Sequence, residues 1–296
     1  MRFIATILVF IALIFKAYSQ QPDIAHVVPL PLEINPAYAG SYNQYKGDIN
    51  YLAQSDDFNN NLKSFKISGD LPLEKLNSGV GLIFNDEITS TVKSSLYRFT
   101  YSYSFKFKKL NIQFGSGISY LTREAVISTW DVPVEQDLVS QYSQNYNQLT
   151  LSVGIFIYSK KSFFSISYID IGLNSNEKEI YPNVDQSLFL KSNLNIIYSY
   201  HFFKEKKFSV NPGLYLRIIP NYRSLLEINL TTFFFNKLYF SSAYRSSHDV
   251  KLKIGVNIWK CHGGISYSNN LNNIDGFLNS NNSIFELSTG FYFNNK

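Results

Sequence analysis

Cysteine is almost absent from this chain. Cys261 is the only one among 296 residues, so an internal disulfide and a cysteine-based zinc cluster are both excluded. The four histidines, at positions 26, 201, 248 and 262, have no carboxylate or second histidine at metal-ligand spacing. The chain also lacks the G-x-S-x-G, H-E-x-x-H and phosphate-loop motifs. We therefore predict no catalytic residues, no metal site and no cofactor.

Charged residues and long apolar runs are also scarce. Charged side chains make up 17% of the chain, compared with about 25% in soluble domains. A helical membrane protein needs apolar runs of about 20 residues, and none follows Phe15. Aromatic residues are abundant instead, with 25 Phe and 22 Tyr, at a mean hydropathy of only −0.11. This combination is typical of a membrane β-barrel, in which about half of the strand residues are polar.

The net charge of +5 is the remaining feature of the composition. A basic balance can indicate binding to nucleic acid or to an anionic surface. The lysines, however, gather in short connections such as Lys108-Lys109 and Lys160-Lys161. We therefore do not predict binding to nucleic acid.

The N-terminus has the pattern of a secretory signal peptide over residues 1–19. Arg2 supplies the positive charge, Phe3 to Phe15 form the apolar core, and Ala17-Tyr18-Ser19 is a small-residue cleavage site. The mature chain would then start at Gln20. The alternative is an anchoring helix, but about 13 apolar residues are few for a membrane span.

One stretch, residues 97–108, alternates strictly between aromatic and polar residues. The aromatic positions are Tyr97, Phe99, Tyr101, Tyr103, Phe105 and Phe107, and the polar ones are Arg98, Thr100, Ser102, Ser104, Lys106 and Lys108. Because successive side chains of a strand point to opposite faces, one face is aromatic and the other polar. A long strand of this kind predicts a barrel wall between lipid and a hydrated interior.

Fourteen such strands can be placed along the chain, which predicts an all-β, antiparallel transmembrane β-barrel of the outer membrane over residues 45–296. The predicted strands are 45–53, 61–71, 78–87, 92–107, 110–121, 147–159, 162–171, 187–203, 207–219, 222–234, 237–246, 250–259, 261–269 and 283–293. The strands of a soluble β-sandwich or lipocalin also alternate between apolar and polar residues. Repeated strands of 12 or more residues and outward faces rich in Phe and Tyr favour the membrane barrel.

The connections between the predicted strands differ in length. Those after even-numbered strands are short and contain lysine, whereas those after odd-numbered strands include the long segments 122–146, 172–186 and 270–282. Bacterial barrels have short periplasmic turns and longer outside loops. The pattern therefore places the N-terminus of the barrel in the periplasm and the long loops outside the cell.

Several charged residues fall on the inward faces of the predicted strands. They are Arg98, Arg217, Arg223, Glu227, Lys251, Lys253 and Glu286. Buried charges need partners, so we predict that Arg98, Arg217, Arg223, Glu227 and Glu286 belong to a salt-bridge network that fills the lumen. The alternative is a path for a ligand or an ion.

Residues 20–44 form a pre-barrel segment that we place on the periplasmic side. It contains Pro22, Pro29, Pro31 and Pro36, and we expect these prolines to exclude a regular strand or helix. Asn-Pro favours a turn, and a glycine tolerates backbone geometries that other residues resist. The segment is therefore either a defined turn packed in or under the periplasmic mouth or an ordinary entry turn to the first strand.

The sequence of this segment resembles the start of a known family. Asn35, Pro36, Ala37, Tyr38, Ala39 and Gly40 match the N-P-A-x-A-G element of PorP/SprF proteins, outer-membrane components of the type IX secretion system. Further similarity lies in Ala243-Tyr244-Arg245-Ser246-Ser247, in Gly264-Ile265-Ser266-Tyr267-Ser268 and in the ending from Phe285 to Phe293. The resemblance covers essentially the whole mature chain.

The resemblance implies a non-enzymatic role in type IX secretion or gliding motility. The protein would help to deliver or anchor a large surface adhesin or a secreted protein that has a C-terminal sorting domain. Other secretion-system subunits would contact it on the periplasmic side, and the long outer loops would meet the cargo. The rival function is passive transport of fatty acids or small solutes through the outer membrane.

Overall fold

In the computed structural model the chain forms a closed antiparallel barrel of fourteen strands. The structure describes residues 31–55, 62–89, 92–125, 144–173, 191–203, 207–220, 222, 224–270 and 283–294. The strands are β1 (Gln44–Ser55), β2 (Leu62–Leu73), β3 (Ser78–Ile88), β4 (Val92–Phe107), β5 (Leu110–Ala125), β6 (Gln144–Tyr158), β7 (Ser162–Gly172), β8 (Asn193–Tyr200), β9 (Phe208–Ile218), β10 (Leu225–Phe234), β11 (Leu238–Arg245), β12 (Asp249–Ile258), β13 (Cys261–Asn270) and β14 (Ser283–Asn294). The predicted fold class and strand number are confirmed.

The barrel closes where its first strand meets its last. β1 pairs with β14 from Gln44, opposite Asn294, to Ser55, opposite Ser283. Every other strand pairs with its neighbours in sequence. Closure satisfies the backbone groups of both edge strands, which a wall in hydrocarbon requires.

The faces of the wall follow the alternation in the sequence. The six odd-numbered aromatic side chains of β4 are exposed on the outer surface, and so are Phe285, Leu287, Phe291 and Phe293 of β14. Ser102 and Thr100 of β4 are fully buried. The apolar outer face and polar inner face are those of a strand between lipid and lumen.

The two ends of the barrel differ, and we name them by their connections. The short-turn end has the connections that follow the even-numbered strands, together with the start of β1 and the end of β14. The long-loop end has the connections that follow the odd-numbered strands. These include 126–143, 173–192 and 271–282, while 89–91 and 246–248 are short.

Some strands are longer or shorter than the sequence predicts. β5 continues to Ala125 and β6 begins at Gln144, so the predicted loop 122–146 is shortened from both sides. β10 begins at Leu225 rather than 222. β7 contains a bulge: its register with β6 shifts between Leu151 and Val153, and Asp170 has a positive φ of 58°.

The prediction that prolines exclude a helix before the barrel is wrong for residues 31–43. A single α-helical turn, α1, spans Pro31–Ile34, and 3₁₀ turns span Pro36–Tyr38 and Ser41–Asn43. Pro31 and Pro36 each stand at the first position of a turn, where the missing N–H costs no hydrogen bond. Within the described residues, no helix is long and apolar enough to cross a membrane. The predicted signal peptide, residues 1–19, lies outside the described residues.

Candidate functional site

Residues 31–43, which we call the luminal segment, lie inside the barrel at its short-turn end. Their 3₁₀ turn Pro36–Tyr38 contacts β4, β5 and β6. Asn35, Ala37 and Ala39 are completely buried. The segment therefore fills part of the lumen along one side of the wall before the chain enters β1.

Asn35 uses its whole amide group inside the barrel. The two hydrogens of its Nδ2 are shared among three acceptors, the Ile155 carbonyl at 2.9 Å, Ser165 Oγ at 2.8 Å and the Ile166 carbonyl at 3.3 Å. Its Oδ1 accepts a bond from the Ala37 amide at 2.8 Å, which caps the following turn. A buried amide satisfied on both sides fixes the position of the segment against β6 and β7.

Two inward glycines of the wall lie too close to the luminal segment to carry a side chain. A Cβ on Gly115 of β5 would lie 2.2 Å from the Ala37 nitrogen, and one on Gly154 of β6 would lie 2.0 Å from Asn35 Oδ1. Gly115 therefore lets the backbone of Pro36 and Ala37 approach β5, and Gly154 leaves room for the Asn35 side chain against β6.

Gly40 ends the tightly packed part of the segment. Its φ of +65° is left-handed, and a Cβ there would lie 2.8 Å from the Gly79 Cα atom. Its amide donates a hydrogen bond to Asp70 Oδ2 at 2.7 Å. Only glycine meets both the conformational and the spatial requirement without strain.

Aromatic contacts hold the middle of the segment. The Tyr38 ring stacks on Phe156 at a centroid distance of 3.9 Å and meets the edge of Phe163 at 6.2 Å. The ring centroids of Tyr42 and Tyr158 are 4.5 Å apart, and the Tyr158 hydroxyl accepts a hydrogen bond from the Tyr42 backbone amide. Burial raises the pKa of the Tyr38 phenol well above its usual value, so this group stays neutral.

Charged groups hold the end of the segment that lies deeper in the barrel. The Glu33 carboxylate forms a 2.6 Å salt bridge with Lys66 of β2. The Glu33 carbonyl accepts a hydrogen bond from Arg98 Nη1 at 2.7 Å, while Arg98 Nη2 pairs with Asp170 at 2.5 Å. Arg98 thus connects the segment to both β4 and the bulge of β7.

The contacts of the predicted luminal charges centre on Arg98, on Glu227 and on Glu286. Arg98 pairs with Asp170, whereas Glu227 pairs with Arg245 at 2.6 Å and lies 3.7 Å from Lys251. In a third group, Ser266 donates to Glu286, and the strand register places Lys253 in the same row. Arg217 is half-buried on β9, and Arg223 lies outside the described residues. Assignment of these groups to a single network stays a prediction.

A cavity of about 250 Å³ lies between the luminal segment and strands β1, β2, β13 and β14. Acidic and basic groups share its lining, among them Lys46, Asp48, Asp70 and His262. His262 Nε2 is 2.8 Å from Asp48 Oδ1. Among the described residues, no group of three or more His, Cys, Asp or Glu could hold a metal ion.

Sequence reasoning identified the N-P-A-Y-A-G element but not its depth in the barrel. It also missed Asp170 and Arg245, the partners of two predicted charges. Arg245 shares the inward parity of β11 and could have been found. Inward glycines at 115 and 154 of neighbouring strands were a further signal that a second backbone approaches this wall.

The chain belongs to a family of type IX secretion system membrane proteins. The family model for PorP/SprF matches residues 18–291, nearly the whole chain. The resemblance stated from the N-P-A-Y-A-G element is thereby confirmed. No curated protein matches the chain.

Solved outer-membrane barrels share the fold. A deletion mutant of the monoaromatic hydrocarbon channel TodX has a TM-score of 0.56 and 9% identity, over 91% of this chain and 95% of TodX. The toluene transporter TbuX of Ralstonia pickettii has a TM-score of 0.54 and 9% identity, over 93% of this chain and 96% of its own. Omp33 of Acinetobacter baumannii has a TM-score of 0.50 and 9% identity, over 85% of this chain and 99% of Omp33. Family and fold together locate the protein in the outer membrane of a Gram-negative bacterium.

Proposed function

We propose that this barrel is a non-enzymatic component of type IX secretion or gliding that helps to deliver or anchor a surface adhesin or secreted protein. Its cargo would have a C-terminal sorting domain. The observation that supports this proposal most is the luminal segment, in which the family element is locked into the wall by Asn35, Ala37 and Gly40. A barrel filled by its own chain suits a rigid scaffold better than an open channel.

The proposal assigns different partners to the two ends of the barrel. Bacterial barrels place long loops outside the cell and short turns in the periplasm. Cargo would meet the predicted loops 122–146, 172–186 and 270–282, because binding usually resides on loops held by a rigid scaffold. These loops lie largely outside the described residues. Secretion-system subunits would meet the short-turn end.

Passive transport is the competing function, and one experiment separates the two. The gene is deleted, the strain is complemented with the wild type or with an Asn35→Ala, Pro36→Ala double variant, and surface proteins and nutrient uptake are measured. We expect the deletion to remove one or a few sorting-domain proteins from the surface and to leave uptake unchanged.

The double variant refines the result. Each complemented strain must first be shown to contain folded barrel in its outer membrane. Heat-dependent gel mobility provides this check. If the folded double variant fails to restore surface cargo, the luminal segment serves delivery. Slowed uptake of a solute with unchanged surface proteins would contradict the proposal and favour transport.

A further inference from the structure

The turns at the short-turn end share a composition that the secretion role does not explain. Each of the six turns contains an exposed lysine: Lys75, Lys108, Lys160, Lys207, Lys237 and Lys260. Lys109 and Lys161 add a second exposed lysine to two of them. Among the described residues of these turns, Glu74 is the only acidic one. We call this ring of lysines the basic rim.

Exposed apolar side chains adjoin the lysines in five of the six turns. Leu76 follows Lys75, Phe107 precedes Lys108, Phe208 follows Lys207, Leu238 follows Lys237 and Trp259 precedes Lys260. Trp259 is 96% exposed, and its backbone is left-handed, with a φ of 57°. A tryptophan presented in this way is favourable where water meets lipid, since one side of the ring is apolar and its N–H is polar.

One lysine side chain points toward the outside of the barrel rather than over the lumen. Lys260 Nζ lies 4.7 Å from the ring centroid of Phe293, which is exposed on the outward face of β14. Its ammonium group therefore sits where the apolar wall ends, on the lipid side. In another turn, Lys207 Nζ lies 5.8 Å from the ring centroid of the exposed Phe235.

One of the long connections at the opposite end of the barrel is acidic in sequence. Residues 126–143 contain Asp131, Glu135 and Asp137 and no lysine or arginine. The turns of the basic rim therefore differ in charge from this long connection.

We propose that the basic rim binds the anionic headgroups of phospholipids around the full circumference of the barrel. Phosphate groups would pair with the lysines while the adjoining aromatic and aliphatic side chains enter the acyl boundary. A lipid leaflet surrounds the whole barrel, as the lysines do, whereas a protein partner would cover one sector or the mouth. The proposal rests on the barrel in its membrane and not on the identity of the cargo.

Trp259 provides the test, because Trp130 is the only other tryptophan in the chain. The full chain with Trp130→Phe is reconstituted in vesicles of phosphatidylethanolamine and phosphatidylglycerol, with brominated acyl chains on one lipid class at a time. Brominated chains quench tryptophan fluorescence on contact. At equal mole fraction we expect brominated phosphatidylglycerol to quench Trp259 at least about threefold more strongly, and this preference to fall with added salt.

Charge reversal in two neighbouring turns supplies the specific variant. Lys237→Glu with Lys260→Glu should abolish the preference for phosphatidylglycerol. The matched control is Lys63→Glu with Lys93→Glu, two exposed lysines on β2 and β4 at the long-loop end. It should leave the preference unchanged. Heat-dependent gel mobility verifies that each variant is folded.

Two results would overturn the proposal. Equal quenching by the two brominated lipids would show that the rim contacts lipid without selecting charge. Absence of quenching by either lipid would place Trp259 in water and favour a periplasmic protein as the occupant of the rim.

Discussion

Asn35 is the residue that connects the luminal segment most closely to the wall. It is completely buried, and its Nδ2 faces three oxygen acceptors on β6 and β7. The chemistry of an Asn-Pro turn could be predicted from the sequence, but these acceptors could not. They come from residues 120 to 131 positions away, and only the closed barrel brings them to the turn.

Asn35→Asp tests this arrangement with a change of nearly the same shape. The carboxylate keeps the bond to the Ala37 amide but places an oxygen opposite the acceptors of Ile155, Ser165 and Ile166. A buried polar group left without its partner costs about 1–3 kcal/mol. We therefore expect hydrogen exchange in residues 35–40 of the folded barrel to accelerate by roughly tenfold or more.

The control is Asn43→Asp, which makes the same chemical change on an exposed residue of the segment. Exchange in residues 35–40 should stay at the wild-type rate in this variant. Equal acceleration in both variants would attribute the effect to added charge and not to the lost hydrogen bonds.

At the scale of strands, the wall was predictable and its exceptions were not. Period-two alternation identified the fourteen strands because lipid and lumen impose opposite demands on alternate residues. The bulge in β7 breaks that parity, so that Ile169 and Asp170 are both buried. Alternation alone would have placed Asp170 outside, which is why the partner of Arg98 was missed.

The depth of the luminal segment belongs to the same class of exception. A short proline-containing stretch carries no periodicity, so its position depends on the surface that receives it. That surface includes Gly115 of β5, which the backbone of Pro36 and Ala37 approaches, and Gly154 of β6, which the Asn35 side chain approaches. Local sequence predicted the turn, and tertiary packing determined its place.

Gly115→Ala tests the fit between strand and segment. The added Cβ would lie 2.2 Å from the Ala37 nitrogen and 2.4 Å from its Cα atom, so the segment must shift away from β5. Limited digestion of the folded barrel with chymotrypsin should then cut after Tyr38 at least about tenfold faster, as expected for a loss of 1–3 kcal/mol through overpacking.

Gly263→Ala is the matched control in another strand, because the nearest atom to its Cβ, the Ser288 carbonyl oxygen, lies 3.7 Å away. Digestion of this variant should proceed at the wild-type rate. If Gly115→Ala were cut no faster than the control, the close contact between β5 and the segment would not restrain the chain.

For the molecule as a whole, the contents of the lumen decide whether solutes can pass. The luminal segment occupies the side lined by β4, β5 and β6, and buried ion pairs of Glu227 with Arg245 and Lys251 lie on β10 to β12. Buried charges of this kind are held by their partners and are not available to a permeating ion. The likeness to hydrocarbon and toluene transporters concerns the wall only, at 9% identity.

We therefore expect the wild-type barrel to show little steady conductance in planar bilayers. Gly115→Ala, which displaces the segment, should increase the time spent in conducting states several-fold, while Gly263→Ala should behave as the wild type. Conductance should rise only in Gly115→Ala, because the wild type and the two variants share the same wall and only in Gly115→Ala does the luminal segment move. A steady, large conductance of the wild type would mean that the lumen is open despite these contents, and would strengthen the case for a transporter.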